Sequence, residues 1–206
     1  EIFSNAEIDA ILIASPTNTH IEFIEKSVAA KKHVLCEKPI SVNLEQFENM
    51  VKASIKNKVL LMEAMWTRFL PITLKVREVI ATKKLGAFKN AYLEFGISVM
   101  GQSENDGRLF NPDLAGGSLL DVGVYPIAYT LNLTDQPVKE IVIVDSKFSE
   151  TGVDIECIAD LIYEDDSKAT IVSSFKESKD APGILEFENG KMVVDDFWRS
   201  QNKAAT

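Results

Sequence analysis

The tripeptide Glu37-Lys38-Pro39 ends a short apolar stretch, Val34-Leu35-Cys36. An acid and a base handed to a proline at a strand end belong to a pocket rather than a core. A lysine held there can relay a proton or stabilise a developing alkoxide. Pro39 limits the freedom of the turn and so holds Lys38 in place. The plainer reading is a surface lysine beside a turn proline. A second group is Gly116-Gly117-Ser118-Leu119-Leu120-Asp121-Val122-Gly123-Val124-Tyr125. Asp121 and Tyr125 are four apart and share one helical face. The glycines remove bulk where a backbone or a ligand comes close. An acid and a phenol facing a lysine can form a proton relay. The plainer reading is an amphipathic helix whose tyrosine finds a hydrogen-bond partner.

A third group, Ser15-Pro16-Thr17-Asn18-Thr19-His20, joins a strand end to a helix start, where amides and the positive dipole end favour phosphate or ribose oxygens. Plain helix capping by Asn18 or Thr19 competes with that reading, and His20 in the first turn is more often structural than catalytic. Met62-Glu63-Ala64-Met65-Trp66-Thr67-Arg68 sets Trp66 and Arg68 just past another strand end, to wall a pocket or to seal a junction. Cys36 reads as packing rather than a nucleophile. Two histidines and two cysteines lie scattered, without metal-ligand spacing. Neither a Ser-His-Asp candidate nor a GxGxxG stretch stands out.

The elements that must carry these groups follow from pattern. Ile8 to Ala14 is a nearly continuous apolar run, the signature of a parallel strand buried on both faces. Thr19 and Glu22 predict a capping box, with Ile21, Ile24 and Val28 as the buried stripe of the helix that follows. His33–Cys36 is the next strand. Asn43 and Gln46 predict a second capping box, and Leu44, Phe47, Val51 and Ile55 a second helical face. Val59–Met62 is a third strand. Strand–helix alternation implies a parallel sheet, and ligands of such sheets bind beyond the carboxyl ends of the strands. Those ends carry Ser15–Asn18, Glu37–Pro39 and Glu63–Arg68. The pattern changes after Pro71: a helix over 72–82, a strand over 89–99, a polar loop over 101–112 and a helix over 114–133. Strands follow over 138–148, 155–163, 169–175 and 184–194, with turns at 164–167 and 188–190. The fold class is α/β plus α+β, with residues 1–70 as the C-terminal part of a Rossmann-type parallel sheet. Residues 71–206 form an α+β domain with a large, mostly antiparallel open sheet.

Composition sets bounds. A formal net charge of −9 argues against nucleic acid or an anionic membrane as partner. Two distant cysteines predict no disulfide framework and a reducing, cytoplasmic setting. No apolar run approaches membrane-spanning length. A sheet face free of covering helices predicts a homodimer.

In order and spacing, the loop Ser15–His20, Glu37-Lys38-Pro39 and the stretch Gly116–Tyr125 together resemble the Gfo/Idh/MocA oxidoreductase family, over nearly the whole chain. Met62–Pro71, and tyrosine at position 125 where many relatives have histidine, resemble its dihydrodiol dehydrogenase and D-xylose 1-dehydrogenase branch. The resemblance implies an NAD or NADP cofactor and hydride transfer to or from a CH–OH carbon of a sugar, polyol or trans-dihydrodiol. It implies Lys38, Asp121 and Tyr125 as catalytic residues, with Tyr125 as acid/base and Lys38 lowering its pKa. Ser15, Pro16, Thr17, Asn18, His20, Glu37 and Lys38 would contact the dinucleotide. Trp66, Arg68 and Arg108 would contact the small-molecule substrate. The family's opening glycine-rich strand–turn–helix has no counterpart here, so the expected intact protein is longer by roughly 100 residues or more, mostly at the front. Two other readings stand beside the enzyme: a dinucleotide-sensing regulator of the same fold, and a truncated oligomerisation module.

Overall fold

The computed structural model describes residues 2–101, 107–179, 181–195 and 197–198. The first of its two sheets is parallel, with strand order β1 (Ala10–Ile13), β2 (His33–Cys36), β3 (Leu61–Glu63). Helix α1 (His20–Ala29) connects β1 to β2, and α2 (Leu44–Asn57) connects β2 to β3. Their apolar sides and the sheet enclose a core of Ile13, Ile24, Val28, Val34, Cys36, Ile40 and Met50. The Asn43 side chain caps α2 by accepting from the Gln46 amide at 2.9 Å, as its sequence signature predicts.

Three local expectations change. The sheet is covered by helices on one face, not two: Leu12 stays 64% exposed while its neighbour Ile13 is 4% exposed. Leu35 and Met62 lie open as well. The capping box at Thr19 does not form, because α1 continues from a 3-10 turn over Thr17–Thr19. The Thr19 hydroxyl instead turns back to Ser15 Oγ and the Pro16 carbonyl, both at 2.7 Å. The apolar stripe of α2 is not buried against the sheet either. Met50 and Ser54 face inward, whereas Leu44, Phe47 and Ile55 remain exposed. Phe47 and Val51 line a hollow shared with Leu61, Phe69 and Leu74.

After β3, a 3-10 turn (Trp66–Phe69) leads into α3 (Pro71–Ala81), with Pro71 in the first turn, where its missing N–H costs nothing. The second sheet has six strands in the order β5-β6-β7-β4-β8-β9. They are β4 (Phe88–Gly96), β5 (Val138–Phe148), β6 (Asp154–Tyr163), β7 (Lys168–Ser174), β8 (Gly183–Phe187) and β9 (Gly190–Val194). All pairings are antiparallel except β4 with β7. One face buries the main core, including Leu93, Leu161, Ile171, Leu185 and Phe197, against α3 and α4 (Val124–Thr130).

The helix expected over 114–133 is shorter and starts irregularly. Pro112–Leu114 is a 3-10 turn, and Ala115 and Gly117 both have positive φ. Leu119–Gly123 is then a π-turn that runs into α4. At Gly123 a Cβ would come within 3.1 Å of the Ser173 Cβ on β7, so the glycine allows close packing there. Part of the predicted loop over 101–112 lies outside the described residues. Replacing Asn43 with Ala removes the α2 cap and should lower stability by about 1 kcal/mol. A urea titration comparing the two midpoints checks it; equal midpoints would contradict the cap.

Candidate active site

Each strand of the parallel sheet ends in a loop on the same rim. After β1, the loop Ser15–Thr19 leads into α1. After β2, the Glu37 amide donates to the Ile13 carbonyl at 2.9 Å, which carries the β1–β2 ladder up to the catalytic candidates. At the last residue of β3, Glu63 Oε1 accepts from the Ile40 amide at 2.9 Å, which anchors the turn just past Pro39. The Lys38–Pro39 peptide bond is cis. Sequence reasoning had no specific role for Glu63, although it stands at a strand end, where such anchors are expected.

Lys38 leaves this turn toward the second sheet. Its Nζ donates to the Asp121 main-chain carbonyl at 2.5 Å and lies 3.5 Å from Asp121 Oδ1. It also sits 5.0 Å from the centroid of the Tyr125 ring. Both side chains of the pair are largely enclosed, at 15% and 14% exposure for Lys38 and Asp121. Arg108 donates through Nη1 and Nη2 to the same Oδ1, each at 3.1 Å. One carboxylate thus faces two cations. The Tyr125 hydroxyl accepts from Trp66 Nε1 at 3.4 Å, and the two rings meet edge-on at 6.2 Å. Phe95 closes the other side of Tyr125 at 5.4 Å and stacks on Trp198.

Burial pushes the Tyr125 phenol above its ordinary pKa of 10; the bond from Trp66 opposes this, and the charges of Asp121 and Glu37 add to the rise. The net shift is upward, against the lowering expected from Lys38 alone. The ammonium is held by Asp121 and faces the flat of the ring, not the hydroxyl. The raised pKa favours the protonated phenol. The Cys36 thiol is pushed up to about 12, by burial first and then by Glu63 and Glu37, which makes it inert packing.

The remaining candidates divide. Ser15 is half-buried, Pro16 and Asn18 are exposed, and Thr17 is buried. Asn18 borders an open cleft with Val42, Gly116 and Leu120, next to the π-turn that carries Asp121. Glu37 is half-buried at the rim. His20 does not offer itself to a ligand. It is 1% exposed, and its ring nitrogens lie 3.0 Å from the Pro39 carbonyl and 2.9 Å from the Ser15 carbonyl. It stitches two rim loops together. Arg68 parts from Trp66: it lines a separate cavity of about 560 Å³ with Phe47, Leu61, Leu74 and Arg77, none of them in the Lys38 cluster.

The donor set suits the nicotinamide half of a dinucleotide. Ser15 and Asn18 bring a hydroxyl and an amide to the loop before α1, and Glu37 brings a half-buried carboxylate to the same rim, groups of the kind that bind ribose and amide oxygens. Among the described residues no cluster of His, Cys, Asp and Glu is suited to a metal ion. No described helix is long and apolar enough to cross a membrane.

Residues 1–65 match the model of the oxidoreductase family with an NAD-binding Rossmann fold, and residues 73–193 that of the GFO/IDH/MocA C-terminal domain. The chain is 32% identical to trans-1,2-dihydrobenzene-1,2-diol dehydrogenase of Danio rerio, over 79% of this chain and 48% of that one. It is 34% identical to scyllo-inositol 2-dehydrogenase (NADP(+)) IolU of Bacillus subtilis, over 94% and 58%. It is 36% identical to D-xylose 1-dehydrogenase (NADP(+)) of Hypocrea jecorina, over 63% and 34%. The chain spans about half the length, or less, of these curated relatives. Aldose-aldose oxidoreductase from Caulobacter crescentus, in complex with glycerol, shares the fold with a TM-score of 0.89 at 24% identity, over 98% of this chain and 60% of that one.

The electrostatics give a signed expectation. Asp121→Asn removes a charge that raises the Tyr125 pKa, so Tyr125 should titrate closer to 10. Tyrosinate absorbance, with Tyr125→Phe as the reference, reads this directly; an upward shift would contradict the geometry.

Proposed function

The chain belongs to the Gfo/Idh/MocA oxidoreductase family, and from that premise we propose that it is the core of an NAD- or NADP-dependent dehydrogenase acting on a CH–OH group of a sugar, polyol or trans-dihydrodiol. The observation that carries the reading is the convergence of Lys38, from the parallel sheet, with Asp121 and Tyr125, from the second sheet's helix. Residues 1–70 would serve the cofactor, and residues 71–206 the substrate and the partner subunit. Two buried free cysteines fit a reducing, cytoplasmic setting.

A bound nicotinamide ring would accept or supply the hydride. Ser15, Thr17, Asn18 and Glu37 would orient the nicotinamide ribose beside Lys38. Lys38 would steady the substrate oxygen as charge develops on it. The protonated Tyr125 would give its proton to that oxygen when a carbonyl is reduced, and as tyrosinate would take a proton from the hydroxyl when an alcohol is oxidised. Asp121 holds Lys38 and is itself held by Arg108, so the cation enters the reaction already aimed. Trp66 is 39% exposed beside the Tyr125 hydroxyl and offers a flat wall to a ring-shaped substrate.

The open face of the six-stranded sheet is read as a homodimer surface. Register places Val142, Asp160, Thr170, Tyr92, Ile184 and Val193 in one row across it. Val142, Tyr92, Ile184 and Val193 are each at least 38% exposed. Replacing Tyr92 with Lys should turn a dimer into a monomer by light scattering; a wild-type monomer at working concentration would remove this part of the reading.

The activity is tested on the intact protein by following reduction of NAD and NADP with aldoses, inositols and trans-dihydrodiols. Lys38→Ala should lower kcat by about 10³-fold or more, as expected where a positioned charge stabilises a transition state. Full activity in that variant would remove Lys38 from the reaction. Dinucleotide binding without turnover on any of these substrates would favour the sensing alternative.

A further inference from the structure

Asp121 and Tyr125 reach Lys38 only if the segment that carries them starts at the right height over the second sheet. That start is irregular, with positive φ at Ala115 and Gly117 followed by a π-turn, and the Gly116 and Gly117 amides tie it only to the preceding loop, at Asn111 and Leu109. One side chain ties it to the second sheet. Asp154 is the first residue of β6, far from the segment in sequence. Its Oδ2 accepts from the Ser118 hydroxyl and from the Leu119 amide, both at 2.7 Å. The Ser118 hydroxyl also lies 2.9 Å from Ser173 Oγ on β7. Ser118 and Ser173 are both fully buried. The other oxygen, Oδ1, rests against Gly117, where a Cβ would come within 2.3 Å of it. The second glycine of the Gly116-Gly117 pair is thus the clearance for the Asp154 carboxylate.

We propose that Asp154 is a positioning residue: its carboxylate, through Ser118 and the Leu119 amide, sets where Asp121 and Tyr125 meet Lys38. A negative charge at the start of a helical segment is favourable in itself, since it satisfies free amides and opposes the positive dipole end. The clasp here reaches across to two strands of the sheet. It therefore fixes the segment in translation as well as capping it. Asp121 is two residues beyond Leu119, and Tyr125 follows one helical turn later. A shift of the clasp moves both groups together, while Lys38, which comes from the other sheet, stays behind. The inference rests on the reading of Lys38, Asp121 and Tyr125 as the reacting centre.

The test compares Asp154→Ala, Asp154→Asn and Ser118→Ala in the intact protein. With its amide oxygen in the place of Oδ2, Asn can accept from both the Ser118 hydroxyl and the Leu119 amide, so it should preserve the clasp without the charge. Two readouts are taken: amide hydrogen exchange over residues 117–125, and kcat with the cofactor KM measured separately. In Asp154→Ala, exchange over 117–125 should rise while β5 is unchanged. Its kcat should fall by about 100-fold, the scale of a misplacement of order 1 Å, at unchanged cofactor KM. Asp154→Asn should recover most of the loss, and Ser118→Ala should fall between. Unchanged exchange over 117–125 in Asp154→Ala overturns the proposal, as does an Asp154→Asn variant no better than Asp154→Ala. If Asp154→Ala does not fold, Ser118→Ala decides by the same exchange readout. If the wild type turns over no polyol, the enzymatic reading fails, while exchange still decides whether Asp154 holds the segment.

Discussion

The structure turns on one contact between two sheets. The Lys38 ammonium, at the end of a parallel strand, meets both the main-chain carbonyl and the carboxylate of Asp121, 83 residues away. An ammonium largely removed from water is tolerated only where it is paired and hydrogen-bonded. The second domain supplies both. The carboxylate is in turn shared with Arg108, so the pair is a three-centre arrangement with one anion between two cations. Removing Asp121 would leave two neighbouring positive charges, which is why the anion governs where Lys38 points. The face of the Tyr125 ring adds a cation–π contact from the third side.

Around that contact each layer has a task. The parallel sheet brings three loops to one rim, because each of its strands runs in the same direction. His20 and Glu63 tie the loops to one another through main-chain atoms, so the side chains of Glu37 and Lys38 are not needed for that stitching. The second sheet provides a rigid floor for the segment bearing Asp121 and Tyr125. Gly123 lets it sit close to β7, and Asp154 pins its start. Phe95 and Trp66 pack edge-on against the phenol ring and half-bury it. Burial is accordingly the largest cause of its raised pKa.

Much of the frame was legible because it is written in local pattern. The apolar runs, the Asn43 cap and the late hairpin turns each predicted an element that the structure contains. The three strand-end loops and the Asp121–Tyr125 spacing predicted which side chains meet. Other features were not legible because distant contacts decide them. Leu44, Phe47 and Ile55 read as a buried stripe, yet Met50 and Ser54 face the sheet, since orientation depends on where α1 lies. Ile8 to Ala14 read as covered on both faces, whereas the helices pack on one. The π-turn, the role of Asp154 and the burial of His20 depend on partners that no local spacing announces. Arg68 parted from Trp66 because residues two apart in the 3-10 turn after β3 face different sides.

The most direct test of the central claim is a double-mutant cycle between Lys38→Met and Tyr125→Phe, read as the single-turnover rate of hydride transfer in the intact protein with cofactor prebound. Groups that act as a unit give strongly non-additive losses. The account predicts that the double variant is no slower than the worse of the two single variants. Losses that multiply independently would show that Lys38 and Tyr125 do not act on one substrate oxygen, and would contradict the account.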